Sequence, residues 1–238
     1  MKKNISKKFV LTFDIDWAPD YAIEHCLNLL EQNKVSATFF ATHSTPMNSE
    51  IRKRGHILGI HPNFLPNSSH GKSINEIIDS CLCFTQDAWC MRSHALVQST
   101  PLLFEIFSKF PQLKLDVSLL MHRSKFAHKC IWEFNGIAFE RILYNWEDDL
   151  EFSKQRYCSE KDLFFGDLTV YDFHPIHVVL NSSNGSEYKK LKENLNGEHL
   201  INQKKQNILR YKNSKIGIED HLKTILKSDA LCTPLDQI

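Results

Sequence analysis

The sequence predicts an α/β protein built around a parallel sheet. Short apolar runs that suit buried strands alternate with longer stretches whose apolar residues recur at helical spacing. Two of the runs, VSATFFAT (35–42) and HILGIHP (56–62), are apolar over most of their length, which predicts strands covered on both faces. With 238 residues, 42% of them hydrophobic, the chain is long enough to bury one sizeable core.

The first half of the chain opens on the strand KKFVLTFD (7–14). Pro19 suits the first turn of a helix, and apolar residues continue at helical spacing from Ala22 to Leu30. After the two apolar runs, Ser73 and Glu76 have the spacing of a capping box, which predicts a helix from about 74 to 85. AWCMRSHAL (88–96) then predicts a fourth strand.

The second half continues the alternation. Thr100 and Pro101 suit the cap and first position of a helix that contains LLFEIFSKF. LKLDVSLL (113–120), IWEFN, IAFERIL and LTVYDFHPIHVVL (168–180) predict strands. Residues 1–181 should form the core, and the polar, lysine-rich residues 182–238 a mainly helical extension packed on the same domain. We favour a solvated appendage for this extension, with a lid over the active site as the alternative.

Composition excludes several classes of partner. Lysine plus arginine (29) nearly balance aspartate plus glutamate (28), so no overall field favours nucleic acid or an anionic membrane. No apolar stretch approaches the roughly 18 residues that span a bilayer. MKKNISKKFVLTF has no signal-peptide cleavage pattern, so we expect a cytoplasmic protein. The seven cysteines then suit reduced thiols.

Asp14 and Asp16 are the first candidate site residues. They lie two apart at the end of a strand, so their carboxylates leave on one face and repel unless a cation or proton neutralises them. Either they form a metal or acid–base site, or they cap the following helix. His61 ends the third strand and His70 follows nine residues later, and imidazole with carboxylate is a typical donor set for zinc. We therefore favour the metal site.

These motifs resemble the polysaccharide deacetylases of the NodB-homology type. LTFDIDW is similar to that family's Asp-x-Asp motif, ATFF follows, and GHILGIHPNF matches the lead-in to its histidine motif. HPNFLP followed by a serine-rich turn is most similar to the WbmS-like branch. The resemblance spans about residues 8–180, and it implies a distorted (β/α) barrel.

The resemblance also implies roles for the acidic and imidazole side chains. Asp14 would be the general base, and Asp16 and His61 would be ligands of one divalent metal ion, Zn²⁺ first and Co²⁺, Ni²⁺ or Mn²⁺ as alternatives. The family's second motif normally has another histidine four residues after the first, but Leu65 stands there. Leucine cannot bind a metal, so His70 is our candidate for the third ligand.

Two later motifs imply the remaining catalytic groups. Arg92 in MRSHAL would orient the base, although a structural ion pair is equally compatible with it. His174 in YDFHPIHV would be the general acid, and His177 falls on the opposite face if that strand is regular. Trp17, His43 and His94 are candidate substrate contacts, with ordinary structural roles as the alternative.

Together these residues imply a hydrolase that removes the acetyl group from an amino sugar during surface-polysaccharide biosynthesis. Its partner would be an acetylated sugar or glycan intermediate. Two alternatives stay open. One is a hydrolase of another amide, such as a formyl group or a cyclic ureide. The other is an inactive carbohydrate-binding homologue, for which the leucine at position 65 is the main argument.

Overall fold

The computed structural model describes residues 7–152, 154–195 and 199–238, and a ten-stranded sheet runs through them. The strands are β1 Lys8–Asp14, β2 Thr38–Ala41, β3 Ile57–Ile60, β4 Cys90–Met91, β5 Leu115–Leu120, β6 Lys129–Phe134, β7 Ile137–Tyr144, β8 Trp146–Glu147, β9 Leu168–Phe173 and β10 Leu231–Cys232. The α-helices are α1 Asp20–Gln32, α2 Pro46–Lys53, α3 Ile74–Phe84, α4 Thr100–Lys109, α5 Asp148–Glu151, α6 Glu160–Leu163, α7 Pro175–Leu180, α8 Ser186–Glu193, α9 Lys205–Leu209 and α10 Ile218–Leu226.

The sheet is open. Neighbouring strands pair in the order β6, β7, β5, β4, β3, β2, β1, β9, β8, and β10 adds to the start of β1. Every pair is parallel except the hairpin of β6 and β7. The predicted α/β class with a parallel sheet is confirmed, but the sheet does not close into a complete barrel. Within the described residues, the terminal strands β6 and β8 do not pair with each other.

The main core lies between the strands β1, β2 and β9 and the helices that cover them. Phe13 stacks on Phe39 at 4.7 Å between ring centroids, and Phe173 lies 5.8 Å from Phe13. The apolar face of α1, from Ala22 to Leu30, is buried against this layer, as its spacing predicts. Because these strands are apolar on both faces, their polar residues are concentrated at the strand ends.

Two predicted strands are wrong in part, and both errors lie next to the site. The predicted strand 88–96 is reduced to Cys90–Met91, and a 3₁₀ turn follows at His94–Leu96. The predicted strand 168–180 ends at Phe173, and Pro175 begins helix α7 with His174 as its N-cap residue. Proline suits the first helical position because its missing N–H is not needed there. In each case a strand gives way to a helical turn where its polar residues begin.

Helix starts show two further differences from prediction. Ser99, and not Thr100, caps α4 by accepting a hydrogen bond from the N–H of Leu102. Helix α2 was not predicted, although Thr45 and Pro46 give it a cap and a proline at its first position. The capping box at the start of α3 is present as predicted.

The described residues after 181 add helices and a strand to the same domain. Helix α10 contacts α7, and β10 pairs with β1 through Leu231 and Cys232. Asn181 fixes the approach of α10, since its side-chain amide donates to the Lys215 carbonyl at 2.9 Å and its side-chain oxygen accepts from the N–H of Glu219 at 3.0 Å. In the described ranges, no helix is both long and apolar enough to cross a membrane.

Candidate metal centre and catalytic site

The carboxyl ends of the parallel strands gather the candidate residues at one edge of the sheet. Asp14 is the last residue of β1, His61 directly follows β3, Arg92 directly follows β4 and His174 directly follows β9. Because parallel strands all end at the same edge, four separate sequence motifs converge on one cavity there. The cavity measures about 170 Å³.

A tight turn after β1 carries Asp16 into this cavity. Asp16 and Trp17 both have left-handed backbone conformations, with φ of 46° and 53°. Such conformations are unfavourable for residues other than glycine, and they persist where the surroundings hold them. Here the N–H of Trp17 donates to Thr42 Oγ1 at 2.9 Å, and Ala18 N–H donates to the Ile15 carbonyl at 2.8 Å. These hydrogen bonds hold the turn in the conformation that directs the Asp16 carboxylate toward His61 and His94.

Asp16, His61 and His94 form a compact triad of possible metal ligands. Asp16 Oδ1 lies 3.1 Å from His61 Nε2 and 3.1 Å from His94 Nδ1, and the two nitrogens are 3.2 Å apart. Ligand atoms bound at about 2.0 Å in a tetrahedron lie roughly 3.3 Å from one another. The three atoms thus have the spacing of three corners of a tetrahedral zinc site, which leaves the fourth corner for water or substrate.

The protonation of His61 also fits a cation. Its Nδ1 lies 2.7 Å from the Arg92 carbonyl, so Nδ1 carries the proton and Nε2 presents a lone pair. That lone pair points at the carboxylates of Asp16 and of Asp14, the latter at 3.4 Å. Burial lowers the pKa of His61, but the two carboxylates outweigh burial and raise it above the usual value. A positive charge at Nε2, whether a proton or a metal ion, is therefore stabilised by these carboxylates.

The prediction that His70 completes the ligand set is corrected by the structure. His70 Nε2 donates to the Thr42 carbonyl at 2.7 Å, and His70 Nδ1 accepts from the N–H of Asn63 at 3.1 Å. Both ring nitrogens are engaged, so His70 has no lone pair to offer a metal. His94, predicted only as a substrate contact, lies instead beside Asp16 and His61, in a group that could hold a metal ion.

Arg92 bridges two buried carboxylates. Its Nη1 donates to Asp14 Oδ1 at 2.9 Å and to Asp172 Oδ1 at 2.5 Å, and its Nε donates to the Val117 carbonyl at 3.1 Å. Burial acts to lower the pKa of Arg92, but the two aspartates outweigh burial. The pKa therefore lies above its usual value, and the guanidinium stays charged. Arg92 therefore holds Asp14 and Asp172 in a buried ion pair, a contact that is compatible with either role that the sequence left open.

His174 faces the triad from the opposite wall. Its Nδ1 lies 2.7 Å from Asp148 Oδ1, its N–H donates to Asp148 Oδ2 at 2.8 Å, and its Nε2 lies 3.6 Å from Asp16 Oδ2. Burial lowers the pKa of His174, yet Asp148 and neighbouring carboxylates raise it well above the usual value. These carboxylates favour the protonated form of His174, whose Nε2 faces the cavity.

Sequence reasoning missed Asp148 and Asp172. Asp172 precedes His174 by two residues in YDFH, so alternation along the strand was a usable signal for their shared face. Asp148 lies in the acidic run EDDLE, which gives no signal that Asp148 is fully buried against His174. Helix α7 also brings His177 to 5.6 Å from the His174 ring, because the predicted strand does not continue through Pro175.

The two remaining substrate candidates lie outside the cavity lining. Trp17 packs edge-on against His94, with ring centroids 5.2 Å apart, so it supports a triad residue. His43 is buried, with its Nδ1 3.1 Å from Thr42 Oγ1. Neither side chain lines the space between the triad and His174. The residues that do are Asp14, Asp16, His61, Ser93, His94, Ala95, Leu96, Tyr144, Glu147, Asp149, Asp172 and His174.

The ends of the parallel strands thus bring an Asp–His–His triad together with a buried aspartate, Asp14, and a buried histidine, His174. The family model of WbmS-like polysaccharide deacetylases matches residues 11–192. The chain therefore belongs to the polysaccharide deacetylase family. The comparison with curated proteins gives no significant match.

Solved structures extend this result. WbmS of Bordetella bronchiseptica, described as a polysaccharide deacetylase involved in O-antigen biosynthesis, is 33% identical, with a TM-score of 0.78 over 93% of this chain and 90% of that one. The peptidoglycan deacetylase PdaC of Bacillus subtilis is 16% identical, with a TM-score of 0.47 over 72% of this chain and 76% of that one. A family 4 carbohydrate esterase of Streptomyces lividans is 14% identical, with a TM-score of 0.46 over 69% and 71%. The last two are too distant to inform the site.

Proposed function

We propose that this protein is a metal-dependent N-deacetylase of an acetylated amino sugar in the biosynthesis of a surface polysaccharide such as O-antigen or capsule. The observation that carries the proposal is the position of Asp14 and His174 on two sides of the Asp16–His61–His94 triad in one cavity. Amide hydrolysis needs a proton acceptor for water and a proton donor for the leaving amine, and the two residues supply these roles.

Asp16, His61 and His94 would hold the metal ion, with Zn²⁺ as the first candidate because the donors are two imidazoles and a carboxylate. When bound, such an ion lowers the pKa of water and polarises an acyl oxygen. The carbonyl of Arg92 fixes the His61 tautomer, and the Trp17 ring packs perpendicular to the His94 ring. Both contacts orient the ligands before a metal arrives.

Asp14 is the proton acceptor. Arg92 holds Asp14 Oδ1, while Asp14 Oδ2 lies 3.4 Å from His61 Nε2, at the edge of the triad. Asp14 thus takes a proton from the attacking water as the new C–O bond forms. Arg92 keeps the carboxylate aimed at that position and cannot itself be deprotonated.

His174 is the proton donor. Asp148 keeps its Nδ1 engaged and stabilises the charged ring, so the proton on Nε2 is available to the cavity. As the C–N bond breaks, His174 delivers this proton to the departing amine, and acetate is the other product. The cavity of about 170 Å³ is below the roughly 300 Å³ of ordinary ligand pockets, so it suits an acyl-amide group with the sugar at the mouth.

Release of acetate from N-acetylated amino sugars, measured beside formate release from N-formylated analogues, tests the proposal. We expect acetate release that chelation abolishes and added Zn²⁺ restores. Asp14→Asn should remove it, whereas the control Asp20→Asn, an exposed carboxylate six residues further on, should not. Formate without acetate would favour another amide hydrolase, and no product from any substrate in the metal-loaded protein would favour the inactive binder.

The position of His94 argues against the inactive homologue. The main argument for that homologue was the leucine at position 65, where the resemblance implies a ligand histidine. His94 provides a third ligand atom from a different strand end, with spacing that fits the other two. The donor set therefore supports activity despite the missing motif residue.

A further inference from the structure

Strand β6 leaves one long edge of the sheet uncovered. Lys129–Phe134 pairs with β7 on one side, and no other strand of the described residues pairs with it. Ile131 and Phe134 are 71% and 60% exposed. An exposed edge with large apolar side chains favours pairing with another strand, because its outward N–H and C=O groups have no ladder partner.

The hairpin turn determines which backbone groups face outward. Asn135 and Gly136, with φ of 50° and 75°, form a two-residue turn of type I′, so the flanking Phe134 and Ile137 are a hydrogen-bonded pair. Hydrogen bonding to β7 then alternates along β6. Phe134, Trp132 and Cys130 therefore bond to β7. Lys129, Ile131 and Glu133 alternate with them, so their N–H and C=O groups point away from β7.

This outward set is self-complementary. We propose that a second copy of this chain pairs antiparallel with β6 about a two-fold axis at Ile131. In that register Ile131 meets the partner subunit's Ile131, and Lys129 meets the partner subunit's Glu133, with the reciprocal pair on the other side. All three positions are outward-facing on both strands, so the register forms hydrogen-bonded pairs at each of them.

Charge and side-chain direction favour this single register. Lys129, Ile131 and Glu133 lie on one face of the strand, so two ion pairs flank one apolar contact. If the two-fold axis moved from Ile131 to either neighbouring residue, Lys129 and Glu133 would each lie opposite an uncharged residue. Lys129 Nζ already lies 3.4 Å from Glu140 Oε1 across the hairpin, so the partner's carboxylate would join a network on the same face.

Sedimentation velocity across a concentration series tests the interface. We expect a reversible dimer in the wild type that is lost in Lys129→Glu and in Glu133→Lys, because each variant places like charges opposite one another. The double variant Lys129→Glu/Glu133→Lys should dimerise again, and a mixture of the two single variants should form a heterodimer. Lys114→Glu, the same charge change at an exposed site elsewhere, should not affect the dimer.

A backbone variant provides an independent test. Ile131→Pro removes an outward N–H but no hydrogen bond to β7, so the hairpin should remain folded while the dimer is lost. A wild type that stays monomeric at every concentration would overturn the proposal and indicate that Lys129 and Glu133 protect the edge against pairing. A dimer that persists in Lys129→Glu and Ile131→Pro would equally overturn it, because the interface would then lie elsewhere.

Discussion

Replacing Arg92 with methionine should destabilise the protein strongly. The guanidinium is fully buried and bridges the carboxylates of Asp14 and Asp172, which methionine would leave buried without the cation that hydrogen-bonds to both. Removing one partner of a buried ion pair costs about 3–5 kcal/mol. At roughly 2–4 °C per kcal/mol for a chain of this size, a loss of about 4 kcal/mol lowers Tm by about 8–16 °C.

Urea unfolding of the purified variant, followed by circular dichroism, measures this loss. Arg52→Met is the matched control, because Arg52 pairs with Asp87 at the surface, and such pairs contribute about 0–1 kcal/mol. Adding Asp172→Asn to Arg92→Met should recover part of the stability, because one of the two unpaired charges is then gone. If Arg92→Met costs no more than Arg52→Met, Arg92 is not the residue that neutralises the two buried aspartates.

Two further predictions concern proton binding. Asp148→Asn should lower kcat for acetate release by about a hundredfold or more, which is the lower end of a general acid's contribution. It should also shift to lower pH the limit above which activity falls because His174 loses its proton. Asp149→Asn, which alters the half-exposed partner of His177 and a weaker contributor to the raised pKa of His174, should shift that limit by less; equal shifts in both variants would count against His174 as the donor. Burial lowers the pKa of His221 from 6.5 to about 4, so its contribution to stability is full above 6.5 and is lost as pH falls towards 4. The gap in unfolding free energy between wild type and His221→Phe should therefore narrow over that range in urea titrations, and a constant gap would contradict this assignment.

The sequence was most informative at strand ends. Asp14, His61 and His174 each follow a run of buried strand residues, and parallel strands must end at the same edge, so their proximity could be argued from order alone. Arg92 shared this logic because it follows Met91 in the next strand. The sheet places these four side chains, and the apolar runs in the sequence predict the strands of that sheet.

The third candidate ligand, His94, depends on a turn of the backbone that a linear sequence pattern does not show. His94 lies after a strand of only two residues, in a 3₁₀ turn where Ala95 and Leu96 adopt φ of 52° and 58°. Nothing in AWCMRSHAL marks that turn, and the run instead suggested a continuous strand. His70 was preferred because it stands near His61 in sequence, but the loop turns its ring toward the Thr42 carbonyl.

Zinc binding by the wild type and two variants tests most directly the claim that Asp16, His61 and His94 hold the metal ion. Metal content after dialysis and titration calorimetry should be measured on the wild type, His94→Ala and His70→Ala, with circular dichroism to verify folding. We expect about one equivalent in the wild type, as one tetrahedral site implies, and the same in His70→Ala. His94→Ala should lose more affinity than the about 10–100-fold that removal of a supporting residue costs. Retention of zinc by His94→Ala with loss in His70→Ala would contradict the assignment of the triad.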